Sequence, residues 1–198
     1  MNFAAKLLPA FAFAGLMASS FASQAATIGF IPDSASVTTG GTIQIKLVGS
    51  DFSNGTFGGG LSVAWDASLL SLQSFDTSVF PGDLGLADVG VDTVIDNNAG
   101  KLENLSVASF FQGAPDASFD IAVLTFKGLA SGTSLLQASL GQFSSGFDNI
   151  WTDYNNDVIG LQFAPASLNV AAVPLPGAAW LFGSVLLGGL SMACRQRA

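Results

Sequence analysis

The segment Thr42-Ile43-Gln44-Ile45-Lys46-Leu47 alternates apolar and polar side chains with a period of two. Successive side chains of a β-strand point to opposite faces of the sheet, so Ile43, Ile45 and Leu47 fall together on one face. An amphipathic α-helix would instead place apolar residues three or four positions apart. The segment therefore predicts a half-buried β-strand.

Similar alternation extends this β prediction to most of the chain. Clusters of Gly, Asp, Asn and Ser separate the alternating runs at a spacing of about 8–12 residues, which is typical of a sandwich or barrel. No part of this region holds a helical apolar period beyond a turn or two. We therefore expect an all-β fold made of two packed sheets. The apolar runs are Leu61, Val63 and Trp65; Leu70 and Leu72; Leu105 and Val107; Ala122, Leu124 and Phe126; Leu135; and Leu161, Phe163, Leu168 and Val170.

Residues 1–25 have the pattern of a secretory signal peptide. A short basic start precedes the apolar run 7–17, which is too short to cross a bilayer, and small residues follow it. Ser23 and Ala25 supply the small side chains that predict cleavage between Ala25 and Ala26. A buried N-terminal helix is the alternative, but the proline, glycine and serines of this stretch form helices poorly.

Residues 173–198 combine a short proline motif, an apolar run and a basic end. The run 178–194 would be about 26 Å long as a helix at ~1.5 Å per residue, just enough to approach a ~30 Å hydrocarbon core. Arg195 and Arg197 follow this run and favour the cytoplasmic side of the inner membrane. Everything between the two end segments would then lie outside the cytoplasm.

This tail resembles the PEP-CTERM sorting signal of Gram-negative bacteria. The motif Val173-Pro174-Leu175-Pro176 matches the Val-Pro-Leu-Pro form of that signal, and Leu175 stands where the commonest version has glutamate. The resemblance implies an exosortase-type partner that processes the protein for release or surface attachment. An ordinary single-span membrane anchor is the alternative interpretation.

Residues 26–172 form the predicted globular domain, which is strongly acidic. Three lysines stand against fourteen acidic residues, a net charge of −11 that would repel nucleic acids and anionic membranes. The chain has no histidine, and its only cysteine is Cys194. A Ser-His-Asp triad, His-ligated zinc or haem, and intrachain disulfides are therefore excluded. Most aspartates lie in turn-like contexts, so we expect no catalytic residues.

Three segments of this domain resemble cohesin modules. They are 38–50, 58–75 and 123–140, and within them Trp65-Asp66 stands where the family usually has Tyr-Asp-Pro. The resemblance implies an antiparallel jelly-roll sandwich that binds a protein partner through one sheet face, as cohesins bind dockerins, without catalysis. Related carbohydrate-binding modules share the jelly roll and bind polysaccharide through aromatic strips, so carbohydrate binding is the alternative function.

The acidic stretch 148–157 contains the candidate ligand-binding residues. Trp151 and Tyr154 are candidates for stacking on sugar rings, or Trp151 packs onto the sandwich edge instead. Asp153, Asn155 and Asp157 alternate like the start of an EF-type loop and are candidate calcium ligands, although Val158 stands where that loop needs glycine. The alternative is an ordinary solvated turn. We expect an exported, non-catalytic binding protein of the cell surface or extracellular matrix.

Overall fold

The computed structural model of the chain describes residues 25–84, 93–109, 114, 118–141 and 150–173. The predicted signal peptide, apart from Ala25, lies outside the described residues, and so does the predicted tail from Pro174 through Arg195 and Arg197. Within these ranges no helix is long and apolar enough to cross a membrane. The run 178–194, for which a membrane span is predicted, is not among them.

The described part of the chain contains eleven strands. Their positions follow the alternating runs of the sequence, and the turns between them carry the Gly, Asp and Asn clusters. The strands are β1 (Ala26–Ile31), β2 (Ser34–Thr38), β3 (Thr42–Ser50), β4 (Gly58–Ala64), β5 (Leu70–Asp76), β6 (Val94–Asp96), β7 (Lys101–Ala108), β8 (Phe119–Gly128), β9 (Gly132–Leu140), β10 (Leu161–Phe163) and β11 (Ala166–Ala171).

Two sheets pack face to face, which confirms the predicted all-β sandwich. The five-stranded sheet has the order β10-β1-β3-β8-β5, and the six-stranded sheet has the order β2-β11-β9-β4-β7-β6. The face predicted for β3 is also confirmed, because Ile45 and Leu47 are fully buried and Ile43 packs against the same core. Apolar side chains from both sheets fill the space between them.

Both ends of the domain switch from one sheet to the other at a proline. Pro32 separates β1 from β2, and Pro165 separates β10 from β11. Proline has no backbone N–H and cannot continue a ladder of hydrogen bonds, so these are natural crossing points. The two crossing segments run side by side in the same direction, with β1 parallel to β10 and β2 parallel to β11. The prediction of a purely antiparallel sandwich is therefore wrong at these two pairs.

Strand β9 places its leucines differently from the sequence prediction. Leu135 was expected on the apolar face, but its side chain is 56% exposed and the neighbouring Leu136 is fully buried. Ser134 and Ala138 point inward with Leu136, since they differ from it by two positions. An exposed leucine therefore lies on the outer surface of the six-stranded sheet.

Candidate functional site

Trp151 lies in the core rather than on the surface. Its side chain is fully buried, and its ring centroid lies 5.6 Å from that of Phe52 and 6.5 Å from that of Phe80. On another side the indole packs against Gly59, where any Cβ atom would overlap Cδ1 of the tryptophan. The prediction that Trp151 stacks on a sugar ring is therefore wrong for this geometry, because no ring face is open. The indole instead packs within the core, deeper than the alternative of packing onto the sandwich edge.

Tyr154 is the half-exposed aromatic residue of the same loop. Its side chain is 43% exposed, and its ring centroid lies 5.2 Å from that of Phe57. The phenolic hydroxyl donates a hydrogen bond to the carbonyl oxygen of Ala114, which fixes the ring against the loop surface. Ligand contact by Tyr154 stays a prediction, but the buried Trp151 cannot stack on the same ligand.

The carboxylate of Asp153 holds the loop together. Its Oδ1 accepts hydrogen bonds from the backbone N–H groups of Asn155 (2.8 Å) and Asp157 (2.9 Å). Its Oδ2 accepts from the side-chain amide of Asn54 at 3.1 Å, which ties the loop to the turn after β3. The N–H of Asp157 is the main cause that holds the pKa of Asp153 below its ordinary value, and the amides of Asn54 and Asn155 add to it.

This hydrogen bonding bears directly on the predicted calcium site. Both carboxylate oxygens of Asp153 already accept hydrogen bonds from the protein, whereas a calcium ligand must direct them at the ion. Asn155 and Asp157 are exposed to solvent. Across the described ranges no group of three or more His, Cys, Asp or Glu side chains is arranged to hold a metal. The geometry therefore corresponds to a self-capped turn rather than the predicted calcium loop.

The outer surface of the six-stranded sheet forms a nearly uncharged area that we call the neutral face. It carries short polar and apolar side chains in register across four strands. Asn169 of β11 contacts Ser36 at 3.1 Å and Thr133 at 3.4 Å, which links three of these strands. The neutral face comprises Ser36 of β2, Ser167 and Asn169 of β11, Thr133, Leu135, Gln137 and Ser139 of β9, and Ser62 and Ala64 of β4.

Two adjoining hollows indent the neutral face. One, of about 250 Å³, lies between β4, β7 and the end of β9 and is bordered by Lys101 and Glu103, whose charged atoms are 3.9 Å apart. The other, of about 340 Å³, lies where the chain crosses from β10 of the five-stranded sheet into the six-stranded sheet at Pro165. Ala64 and Ser139 line both hollows, so the two lie side by side on the neutral face. Local sequence patterns do not predict these hollows, because they form between residues that are distant in the chain.

The opposite surface, on the five-stranded sheet, has a different chemical character. Lys46 of β3 forms an ion pair with Asp120 of β8 at 2.7 Å, and both groups are partly exposed. Lys127 lies further along β8, opposite Ser71 of β5. Charged side chains therefore run across the middle of this sheet, whereas on the neutral face they are confined to one border.

The fold of the sandwich is similar to that of cohesin jelly-roll modules. No protein-family model and no curated protein sequence matches the chain. Solved cohesin structures do superpose on it. The seventh ScaB type I cohesin from Pseudobacteroides cellulosolvens does so with a TM-score of 0.55 and 17% identity, over 77% of this chain and 96% of its own.

Two further cohesin structures show how far the likeness extends. The type I cohesin–dockerin complex of Clostridium thermocellum gives a TM-score of 0.55 at 8% identity, over 74% of this chain and 99% of the matched chain. A non-cellulosomal cohesin from the archaeon Archaeoglobus fulgidus gives 0.52 at 12% identity, over 78% and 96%. At such identities the likeness defines the fold, and it confirms the cohesin-like expectation at that level.

Proposed function

We propose that the protein is an exported, non-catalytic module that binds a protein partner through the neutral face. The observation that carries this proposal is the combination of a cohesin-like fold with a broad, almost uncharged sheet surface that exposes Leu135. The centres of protein interfaces are depleted in charged residues and enriched in well-packed apolar contacts. One of the similar structures is a cohesin–dockerin complex, so this fold is known to support protein–protein binding.

Leu135 is the natural centre of such an interface. Its side chain is 56% exposed, and further along the same face Ala64 and Ser139 line the two hollows, which leave room for a partner's side chains. Covering a leucine side chain removes apolar area from water, a gain of roughly 1–2 kcal/mol at ~25 cal/mol per Å². An apolar side chain that is fully covered near the centre of an interface contributes more to its affinity than one at the rim.

Export and surface delivery complete the proposed function. The signal peptide would be removed after Ala25, and the PEP-CTERM-like motif Val173-Pro174-Leu175-Pro176 would be read by an exosortase-type enzyme. The run 178–194 would hold the precursor in the inner membrane before the domain reaches the cell surface or the extracellular matrix. Mass spectrometry of both termini tests this part, because a surface-bound form that retains Arg197 would contradict processing of the tail.

The binding proposal is tested by two matched substitutions. Leu135→Asp and Ile31→Asp each place a carboxylate at an aliphatic position that is 56% exposed, the first on the neutral face and the second on β1 of the other sheet. Photo-crosslinking from the neutral face on native cells identifies the partner, and its affinity for each variant is then measured. We expect Leu135→Asp to weaken binding at least ~10-fold, since a charge would be buried in the interface.

Ile31→Asp should leave the affinity unchanged, and loss of binding in that variant alone would contradict the proposal.

The carbohydrate alternative is tested with the same proteins on cell-surface polysaccharide. Retention that is abolished by Tyr154→Ala and unaffected by Leu135→Asp would favour carbohydrate binding over the proposed protein contact.

A further inference from the structure

The predicted signal-peptide cleavage point lies at the edge of the folded domain. Strand β1 begins at Ala26, whose side chain is 3% exposed, and Ala26 pairs with Leu161 of β10. The residue before it, Ala25, is half-buried. Cleavage between them would therefore place a new chain terminus directly against the sandwich, with no flexible leader.

This terminus would lie on the wall of an acidic cavity. Ala25 and Ala26 line a cavity of about 210 Å³ together with Asp51, Asp153 and Asp157. The strand register brings Asp51 close, because Thr27 pairs with Ser50 and the next residues along the two antiparallel strands are Ala26 and Asp51. Asp51 adopts a left-handed φ of 62°, so the chain turns away from β3 at this point.

The cavity carries negative charge without a basic residue in its lining. The ion pairs of the described part of the chain join Lys46 to Asp120 and Lys101 to Glu103, so neither includes a cavity carboxylate. Of the elements packed against Ala26, β3 carries Lys46, but this lysine lies opposite Ile31 at the far end of β1. The segments 51–55 and 153–160 contribute the three aspartates and no cation. The carboxylate of Asp153 already accepts hydrogen bonds within its loop, so Asp51 and Asp157 are the carboxylates that remain for a new cation.

We propose that the cavity is the seat of the α-ammonium group of Ala26 in the mature protein, an inference that rests on the proposed export. Hydrolysis of the Ala25–Ala26 amide consumes one water molecule. It leaves a carboxylate on the departing Ala25 and an ammonium group on Ala26. Before cleavage the same nitrogen is an uncharged amide. Cleavage would thus add a positive charge to the nitrogen of Ala26, in the cavity that Asp51, Asp153 and Asp157 also line.

A seated ammonium group makes the stability of the mature domain depend on pH. Nearby carboxylates favour the charged form, so they raise the pKa of the amino group above its ordinary value of ~7.7. A raised pKa in the folded state contributes stability that is fully present below the unfolded value and is lost as the pH rises through the folded value. The mature chain should therefore lose this contribution as the pH rises above the ordinary value of ~7.7 and through the raised folded value.

The test uses chain 26–198 in mild detergent, prepared with either a free or an acetylated Ala26 amine. We expect the free-amine chain to melt at a higher temperature than the acetylated chain at pH 6, and the difference to shrink as alkaline pH deprotonates the amine. Asp51→Asn and Asp157→Asn should each reduce the difference, and asparagine tolerates the left-handed conformation at position 51. Asp33→Asn, at an exposed position on the β1–β2 crossing, is the matched control and should preserve it.

Equal melting temperatures for the free and acetylated chains at pH 6 would overturn the proposal, and so would an NMR titration of the amine that finds its pKa unraised. The two proposals fail separately. If the exported protein begins at a residue other than Ala26, the processing proposal fails, whereas the test chain still reports on the cavity because its first residue is fixed.

Discussion

At the scale of single residues, the contact between Gly59 and Trp151 fixes how the loop before β10 packs on β4. The glycine lets the indole ring lie directly against the strand backbone, and the ring in turn contacts Phe52 and Phe80. Gly58, beside it, has a φ of 118° and lies close to the backbone of Val107 and Ala108. Glycine in a strand often marks such a close approach of two backbones. The two glycines thus serve two different neighbours.

We predict that Gly59→Ala destabilises the domain by about 1–3 kcal/mol, because the added methyl group forces the buried indole to move. Urea unfolding followed by Trp fluorescence measures the effect. Gly160→Ala is the matched control, since a Cβ there meets nothing within 4 Å. It should leave stability unchanged or raise it slightly, as expected when an unstrained glycine is replaced. A loss of stability in Gly160→Ala equal to that in Gly59→Ala would contradict the packing argument.

Asp153 gives a prediction about acid stability. Its pKa is held below the ordinary 3.8, mainly by the N–H of Asp157, so its contribution is present above that value and is lost as the pH falls through the lower folded value. Asp153→Asn should lower the melting temperature at pH 7 by a few degrees and flatten its dependence on pH below about 4. Thermal melts between pH 2 and 7 test this, with Asp33→Asn as the control. An unchanged melting curve for Asp153→Asn would contradict the role of the carboxylate.

The burial of Trp151 shows where residue-level prediction from sequence ends. The predicted polar stretch 148–157 is a loop over its described residues 150–157 and contains two aromatic residues, but Gly59, which makes room for Trp151, lies on a distant strand. Only the fold brings the two together. For Asp153 the alternation with Asn155 and Asp157 has two physical explanations, a metal loop and a self-capped turn, and hydrogen-bond geometry alone separates them.

At the scale of secondary-structure elements, Asn97 joins the edges of the two sheets. Its side-chain Oδ1 accepts a hydrogen bond from the N–H of Leu72 at 2.8 Å, and its Nδ2 donates to the carbonyl oxygen of Leu72 at 3.0 Å. Leu72 belongs to β5, at the edge of the five-stranded sheet, and Asn97 directly follows β6, at the edge of the other sheet. The amide side chain therefore occupies the place of a neighbouring strand at one residue.

We predict that Asn97→Ala costs about 1–2 kcal/mol of stability, because both backbone groups of Leu72 lose a partner. Asn97→Asp should be destabilising as well, since a carboxylate accepts from the N–H but cannot donate to the carbonyl. Asn98→Ala is the control, because Asn98 is exposed and its described hydrogen bond is made by the backbone. Chemical denaturation of the three variants provides the measurement, and an equal effect of Asn98→Ala would refute the bridging role.

The period of two predicted the positions of the strands. It did not lead to the correct buried face in β9, where two leucines are adjacent. In β3 polar residues separate the apolar ones, so only one face can be buried. In β9 Leu136 alternates with Ala138 and Leu140, whereas Leu135 alternates with Thr133, Gln137 and Ser139, so a full comparison of the two faces favours burial of Leu136. The structure buries Leu136 and exposes Leu135. Placing Leu135 on the apolar face without this comparison concealed the residue on which the proposed binding surface depends.

At the scale of the whole molecule, the last two strands close the sandwich. Strand β11 lies between β2 and β9, and its Ala166, Leu168 and Val170 are buried. The parallel pairing that places it there could not be read from local sequence, because β2 and β11 lie at opposite ends of the domain. Any boundary drawn for the domain must therefore include both segments.

We predict that a chain of residues 26–160 does not fold, whereas a chain of 26–173 folds without the hydrophobic tail. Removing β10 and β11 leaves β2 without its partner and opens one side of the core to water. Circular dichroism melts test this, with a cooperative transition expected only for 26–173. A cooperative transition in 26–160 would show that the terminal strands are dispensable.

The parallel arrangement of the end strands also has a mechanical consequence. Because β1 and β2 run in the same direction as β10 and β11, the chain enters the sandwich at one end and leaves it at the other. A pulling force applied between the two termini would load these strand pairs in shear, so that all their hydrogen bonds resist together rather than separating one after another. A module tethered at its C-terminal end and pulled at its N-terminal end would thus be loaded in the direction in which the hydrogen bonds of its end strands resist force together.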